Sequence, residues 1–316
     1  MKKRLIYTAL FSIITALVLA SVSFNIINWG LAHVNKDDQG NINYAFSGKE
    51  RYNVGFIGSS RVYYQINPSI FDSITHLTSY NAGIDGLKMP EMEIIAKKYI
   101  ASHKGADYLV LSIDEFTLTG GNSVWDFPRY FPYVSDTSIY KLSKYQGEIA
   151  LAKYLPAAAL TYYNDPMKSL GIQGFIKPVK KFTTTKLKGS ASVKANNQKI
   201  NPAIKVEYSY NESCINILNR LCSYCQNQNI NIVIIVPPIL RNKNTIDIYK
   251  TGYSQKINDI ANRYNIPIID CSHNAICYKP EMFCDVLHLN DKGADIYTKT
   301  VATEFMKREG NTIEIK

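Results

Sequence analysis

The chain has 316 residues, of which 46% are hydrophobic and 20% charged, so it can bury a sizeable core and is not a disordered protein. Its net charge of +10 suits an anionic envelope polymer or lipid surface, although a basic face that aids solubility would give the same excess. The densest basic cluster, residues 177–194, has no interleaved aromatic side chains of the kind that stack on bases. We therefore expect no nucleic-acid partner.

The N-terminal segment predicts a membrane helix. Leu5 to Ile27 carries no charge over about the length that spans a bilayer, and Lys2, Lys3 and Arg4 precede it. A cleavable signal peptide is the alternative, but its apolar region is usually shorter. We expect an uncleaved anchor at 1–30, a linker at 31–51, and a domain at 52–307 with a tail at 308–316. The predicted localisation is the cell membrane, single-pass, with this domain on the extracytoplasmic side.

Short apolar runs alternate with helical patterns in the exported part. The predicted strands are Val54–Ile57, Ser79–Ala82, Tyr108–Ile113, Ile232–Val236 and Ile266–Ile269. The predicted helices are Met89–His103, Ser209–Gln226 and Ile246–Asn265, with a further amphipathic helix at the C-terminus. This alternation is typical of an α/β three-layer sandwich with a mostly parallel central sheet, in which ligands gather at the carboxyl ends of the strands.

One region, about 117–205, interrupts this alternation. It opens with a stretch rich in aromatic residues and proline, and it is too long for a simple connection between strand and helix. We interpret it as an insertion after the third strand. It could shape the substrate site as a lid or form a structural subdomain, and the sequence does not decide between these roles.

The six cysteines indicate neither a redox motif nor a zinc site. Cys214, Cys222 and Cys225 lie in one helical segment, where Cys214 and Cys225 recur at helical spacing with Leu218 and Leu221 and are expected to face the core. Cys271, Cys277 and Cys284 lie in a loop-rich stretch, where an exported chain could form one disulfide. We expect no metal and no cofactor.

Two polar groups carry the predicted chemistry. Ser59 and Ser60 follow the first predicted strand, where they could cap a helix or supply a nucleophile. Asp285 and His288 are three residues apart, a spacing at which a carboxylate can orient an imidazole. Arg61, next to the serines, could hold an anionic group, although an exposed arginine at a helix start is the commoner case.

Four blocks in this order, IGSSR, NAGIDG, VLSIDEF and DVLHLN, resemble those of the SGNH (GDSL) hydrolase superfamily. The resemblance covers most of residues 52–307 except the insertion. It implies that Ser60 is the nucleophile, that His288 is the base and that Asp285 orients it. Ser59 then occupies the position of the family's aspartate and is the residue expected to act as a cap.

The resemblance also implies an oxyanion hole. The backbone N–H groups of Ser60 and Gly86 would contribute, with Gly83 as the less favoured register. Asp114 occupies the position of the family's asparagine, and an ionised carboxylate would repel an oxyanion. Asp114 is therefore either protonated, or has another role, or the hole is built differently.

Three features look more like one branch of this superfamily, the branch that includes teichoic-acid D-alanylation and polysaccharide O-acetylation proteins. They are the membrane topology, the GSSR block and the aromatic insertion. The resemblance implies a serine-dependent ester hydrolase or O-acyltransferase that acts on a cell-envelope glycopolymer or lipid through an acyl-serine. A membrane protein that donates the acyl group would be a partner. The alternative is a noncatalytic binding or assembly factor of the envelope, which the Asp114 departure favours.

Overall fold

The computed structural model describes residues 1–102, 106–119, 124–180, 188–194 and 200–309. Its strands are β1 Val54–Ile57, β2 Ser79–Asn81, β3 Tyr108–Ser112, β4 Ala203–Glu207, β5 Asn231–Val236, β6 Arg241–Ile248 and β7 Ile268–Asp270. Its α-helices are α1 Lys2–Leu31, α2 Asp37–Ser47, α3 Ser60–Tyr63, α4 Pro68–Thr75, α5 Met89–Ser102, α6 Glu115–Thr119, α7 Thr137–Tyr140, α8 Leu151–Tyr154, α9 Pro156–Ala159, α10 Asp165–Ile176, α11 Glu212–Asn227, α12 Lys250–Tyr264 and α13 Asp291–Glu309. Short 3₁₀ helices occur at Phe127–Tyr133, Lys141–Lys144, Gly147–Ala150, Leu160–Tyr162, Ala275–Tyr278 and Pro280–Met282.

The chain divides into two compact units. Unit 1 consists of Met1–Gln39 and Asn122–Lys181, and unit 2 consists of Gly40–Gly121 and Phe182–Lys316. The predicted linker is more structured than its polar composition suggested, because α2 lies within it and buries Ile42, Tyr44 and Ala45.

Unit 2 is built on a five-stranded parallel sheet of order β2-β1-β3-β5-β7. Counted along this sheet alone, the order is that of flavodoxin-like folds, with a switch point beside β1. Most strand residues are buried, as expected for parallel strands that are covered on both faces.

Helices cover both faces of this sheet. On one face, the side chains of alternate residues such as Phe56 and Val110 share a core with α4 and α13, where Phe71 and Phe305 are fully buried. On the other face, α5 packs on β1 and α11 packs on β5, while α12 lies against α11. The predicted three-layer α/β class is confirmed.

A small second sheet was not predicted. Strands β4 and β6 pair in parallel, and β6 occupies the start of the segment that was predicted as helix Ile246–Asn265. That prediction is wrong at its beginning, because α12 starts only at Lys250, after Tyr249 in a left-handed conformation with φ 60°. The conformation here is determined by pairing with a strand about 40 residues earlier in the sequence, which local periodicity does not reveal.

Unit 1 is organised around the last turns of α1. Phe24, Ile27 and Leu31 are buried in a cluster with Phe131, Ala159 and Tyr163 from the insertion. Helix α10 crosses α1 so closely that a Cβ on Gly30 would lie 1.8 Å from the carbonyl oxygen of Gly171, so that only glycine fits at this crossing. This part of the insertion therefore has a structural role as the partner of α1.

The cysteines are free thiols. Cys214 and Cys225 are buried on α11, as predicted, and Cys222 is buried there as well. Burial raises the pKa of Cys222 and of Cys225 to about 12. The disulfide that the sequence allowed among Cys271, Cys277 and Cys284 is not formed; the Cys277 thiol contacts the carbonyl of Cys271, and the Cys284 thiol contacts that of His288.

Candidate active site

The two serines lie at a sharp turn between β1 and α3. A side chain at Gly58 would come within 2.4 Å of Val62 and 2.7 Å of Ser112, so the turn needs a glycine there. Ser59 is the N-cap of α3, and its hydroxyl accepts a hydrogen bond from the backbone N–H of Arg61 at 3.4 Å. The next residue, Ser60, thus begins the helix at the carboxyl end of the strand.

Ser60, His288 and Asp285 form a continuous hydrogen-bonded chain. Ser60 Oγ lies 2.9 Å from His288 Nε2, although 228 residues separate them in sequence. His288 Nδ1 lies 2.8 Å from Asp285 Oδ2 and 3.0 Å from Oδ1. Because a carboxylate only accepts, Nδ1 is assigned as the protonated nitrogen, which leaves Nε2 free to accept the serine proton.

The loop before α13 holds this pair in place. Asp285 Oδ1 accepts the backbone N–H groups of Leu287 at 2.7 Å and of His288 at 2.8 Å. Partial burial of Asp285 opposes ionisation, but these N–H groups and His288 together lower its pKa below the ordinary value. The Asp285 carboxylate is thus kept as the anion that orients the imidazole.

Two neighbours that sequence reasoning missed support the histidine. The Tyr64 ring meets the His288 ring edge to face, with centroids 6.2 Å apart. Gln65 donates from Nε2 to the carbonyl of Leu287 at 3.0 Å, which ties α3 to the histidine loop. Both residues follow Ser60, by four and five positions, but no pattern in the sequence marks them.

Exposure falls along this chain from the carboxylate to the serine. The Asp285 side chain is 57% exposed and that of His288 24%, whereas Ser60 as a residue is only 9% exposed. The hydroxyl therefore lies in a sheltered position, while the carboxylate is screened by solvent.

Two backbone N–H groups are candidates for binding an oxyanion. Gly86 has φ 68° at the third position of a turn closed by a hydrogen bond from Leu87 N to Ile84 O, where glycine is required. Within the described residues, neither the Ser60 N–H nor the Gly86 N–H donates a hydrogen bond. By contrast, the Gly83 N–H is engaged by Asn81 Oδ1 at 2.9 Å, which favours Gly86 over Gly83.

Asp114 is fully buried and its carboxylate has other partners. Oδ1 accepts the backbone N–H of Thr117 at 2.8 Å, and Oδ2 accepts the hydroxyl of Ser59 at 3.2 Å. Arg61 Nη1 lies 3.7 Å from Oδ2. Of the three alternatives for Asp114, these contacts favour another role: it caps α6 and fixes the serine turn.

Arg61 is buried, which corrects the expectation of an exposed arginine. Its Nη2 donates to the carbonyls of Pro237 at 3.0 Å and Pro238 at 2.7 Å, and its Nη1 lies 3.4 Å from Glu115 Oε1. Burial opposes the positive charge, but the carboxylates of Glu115 and Asp114 raise the pKa of Arg61. Arg61 thus links the serine turn to the ends of β3 and β5 and is not available to a substrate anion.

The described residues contain no group of three or more His, Cys, Asp or Glu side chains that could hold a metal ion. Among the described residues, Ser60 and His288 are the candidate nucleophile and base.

No family model matches the chain, and no curated protein matches it. Solved structures do resemble it. A protein from Desulfitobacterium hafniense assigned to the G-D-S-L family of lipolytic proteins is 8% identical, with a TM-score of 0.40, and covers 79% of this chain and 97% of its own. A Bacteroides fragilis protein assigned as an acylhydrolase is 10% identical, with a TM-score of 0.43, and covers 88% and 97%.

An acetylxylan esterase from Geobacillus stearothermophilus is 12% identical, with a TM-score of 0.40, and covers 84% of this chain and 95% of its own. The likeness is one of fold, and the chemistry of this chain has to be inferred from its own side chains.

Proposed function

We propose that the chain is a serine-dependent ester hydrolase or O-acyltransferase of the SGNH type. The observation that carries the proposal is the hydrogen-bonded chain from Ser60 through His288 to Asp285 at the carboxyl edge of a parallel sheet. Nucleophile, base and orienting carboxylate are each within hydrogen-bonding distance of the next, which is the arrangement that acyl transfer requires.

In the first half-reaction, Ser60 Oγ attacks the acyl carbonyl while His288 Nε2 takes the hydroxyl proton. The tetrahedral intermediate carries its negative charge on the former carbonyl oxygen, which the N–H groups of Ser60 and Gly86 would bind. Collapse of the intermediate expels the alcohol, which takes the proton from His288, and leaves an acyl group on Ser60. Asp285 stabilises the imidazolium throughout.

In the second half-reaction, His288 removes a proton from water or from an acceptor hydroxyl, whose oxygen attacks the acyl-serine. Expulsion of Ser60 Oγ, which takes back the proton, completes the turnover. Water gives hydrolysis and a sugar or polyol hydroxyl gives transfer. We propose an envelope glycopolymer or lipid as the substrate class, with a membrane protein as the acyl donor in the case of transfer.

The membrane anchor is part of this proposal. Helix α1 is long and apolar enough to cross a membrane, and the apolar window within it, of mean hydropathy 2.3, is fully exposed. A signal peptide would have similar composition, but cleavage beyond Ile27 would take Phe24 and Ile27 out of the core of unit 1. The Asn28 side chain also accepts a hydrogen bond from Tyr163 at 2.8 Å. These contacts argue against cleavage within the packed end of α1, and we propose an uncleaved anchor. The proposed extracytoplasmic side for unit 2 rests on Lys2, Lys3 and Arg4, which precede the apolar span.

Kinetics of the single-site variants test the proposed roles. Ser60→Ala and His288→Ala should each reduce hydrolysis of a small ester by several orders of magnitude. Asp285→Asn should cost less, because that carboxylate is the most exposed of the three groups. An Asp285→Asn loss that exceeds the loss for His288→Ala would contradict the assignment of base and orienter.

As a second candidate, the chain is a noncatalytic binding or assembly factor. This is favoured by the aspartate at position 114, where the resembled family has an asparagine. Its test is genetic. A variant that lacks both Ser60 and His288 should fail to restore an envelope ester modification in a strain that lacks the gene. Full restoration by that variant, at normal protein levels, would support the binding factor instead.

A further inference from the structure

Unit 1 carries an apolar surface that its own core does not use. Ile172, Phe175 and Ile176 of α10 are 47%, 47% and 67% exposed, and they lie three and four residues apart on one stripe of the helix. The neighbouring face of α10, with Gly171 and Gly174, packs against α1, and Phe175 lies at the edge of that contact. We call the three exposed residues, together with Trp29, the apolar ridge.

The apolar ridge is continuous with the end of α1. The rings of Phe175 and Trp29 meet edge to face, with centroids 5.8 Å apart, and Trp29 is itself 45% exposed. Tryptophan is enriched where a transmembrane helix leaves the hydrocarbon. The ridge therefore extends an apolar surface that is already exposed along α1, and is more than a set of scattered surface residues.

The length of α1 determines how far from the bilayer centre the apolar ridge lies. At about 1.5 Å per residue, Phe24 lies about 28 Å along the helix from Leu5, which nearly equals the hydrocarbon thickness of about 30 Å. Phe24 is already in the core of unit 1, and Gly30, where α10 crosses, lies only about 9 Å further along the helix. With α1 in a bilayer from Leu5 onward, its crossing with α10 thus lies about 7 Å beyond the hydrocarbon, in the headgroup layer.

We propose that α10 is an interfacial helix whose apolar ridge inserts into the outer part of the bilayer, so that unit 1 contacts lipid beside the anchor. This inference rests on the membrane anchor proposed above. Lys36 and Lys177 line a cavity of about 510 Å³ together with Ile176, and the Lys36 amine donates to Gln173 Oε1 of α10 at 3.1 Å. Two cationic side chains thus border the same apolar surface, where lipid phosphates would lie. A second contact of this kind restricts how the chain can tilt and rotate at the membrane.

Tryptophan quenching by brominated lipids tests the insertion in the full-length chain. Both native tryptophans, Trp29 and Trp125, are replaced by phenylalanine, and Phe175→Trp is added as the only reporter. The matched control is Ile204→Trp in the same background, because Ile204 is 74% exposed but lies on β4 of unit 2. Each variant is reconstituted in nanodiscs made of phospholipids whose acyl chains are brominated near the headgroup.

We expect the reporter at Phe175 to lose about half or more of its fluorescence, since an interfacial helix is buried about 5–10 Å into the boundary region. This quenching should clearly exceed that of the control at Ile204. Equal, weak quenching of both reporters would overturn the inference. A dimer in which the emission of the Phe175 reporter is blue-shifted but unquenched would also overturn it, because a second copy of the chain would then cover the apolar ridge.

Alkaline extraction of the same variants separates this inference from the anchor. A chain that stays in the membrane without quenching at Phe175 retains the anchor and refutes the interfacial helix. A chain that is extracted refutes both. Ester hydrolysis is not used as a readout, so that failure of the catalytic proposal leaves the result unaffected.

Discussion

Asp114→Asn distinguishes a structural carboxylate from one that faces the oxyanion. The carboxylate is fully buried, and its contacts are with Ser59, Thr117 and Arg61. The variant restores the amide that the resembled family carries at this position. If Asp114 faced the oxyanion, removing its charge would speed the reaction. We instead expect a less stable protein whose kcat is unchanged or lower.

The magnitude follows from the contacts that are lost. An asparagine oxygen can still accept the N–H of Thr117, but the ion pair with Arg61 is removed and the hydrogen bond from Ser59 is weakened. At 3.7 Å the Coulomb attraction between Asp114 and Arg61 is about 4–5 kcal/mol at an effective dielectric constant of about 20. Desolvation of both groups offsets much of this, and Glu115 still neutralises Arg61, so we expect a net loss of about 1–3 kcal/mol.

Thermal unfolding and ester hydrolysis are the two assays. A loss of this size should lower the Tm of a chain this long by several degrees. The matched control is Asp165→Asn on α10, whose carboxylate is 98% exposed and lies 3.5 Å from Lys168, and which should leave the Tm nearly unchanged. An Asp114→Asn protein with unchanged Tm and a kcat raised several-fold would refute the structural role.

Three further predictions concern the serine cap, the helix crossing and the thiols. Ser59→Ala removes the helix cap and should reduce the free energy of unfolding by about 1 kcal/mol, seen as a lower Tm, while ester hydrolysis is retained. Complete loss of activity in a folded Ser59→Ala protein would contradict the assignment of Ser59 as a cap. Gly30→Ala should destabilise unit 1, because its Cβ would overlap the carbonyl of Gly171, whereas Gly252→Ala has open space and should not; equal Tm values would contradict the packing of α1 on α10. Titration of the unreduced, denatured protein should find six thiols, and a count of four would reveal a disulfide.

The sequence was most informative where a signal is local. Strand β1 has the bounds that were predicted for it, and β2, β3 and β5 differ from prediction by one residue at one end, because buried parallel strands are short apolar runs flanked by polar turns. The spacing of Asp285 and His288 is equally local. It brings the two side chains to within hydrogen-bonding distance on one loop.

Features that depend on residues distant in the sequence could not be predicted from local patterns. Strand β6 pairs with β4, and α10 fits α1 through glycines that are more than 140 residues apart. Likewise, Arg61 is buried only because two proline carbonyls and the Glu115 carboxylate surround its guanidinium. Nothing within a few residues of Arg61 indicates those partners.

Mapping the site of covalent labelling by a fluorophosphonate probe tests the central claim, that Ser60 is an activated nucleophile, most directly. The full-length protein is treated with the probe, digested and sequenced by mass spectrometry, with Ser60→Ala, Ser59→Ala and His288→Ala as comparisons. We expect the adduct on Ser60, its loss in Ser60→Ala, its strong reduction in His288→Ala and its retention in Ser59→Ala. An unlabelled wild-type protein, or an adduct that persists in Ser60→Ala, would contradict the account.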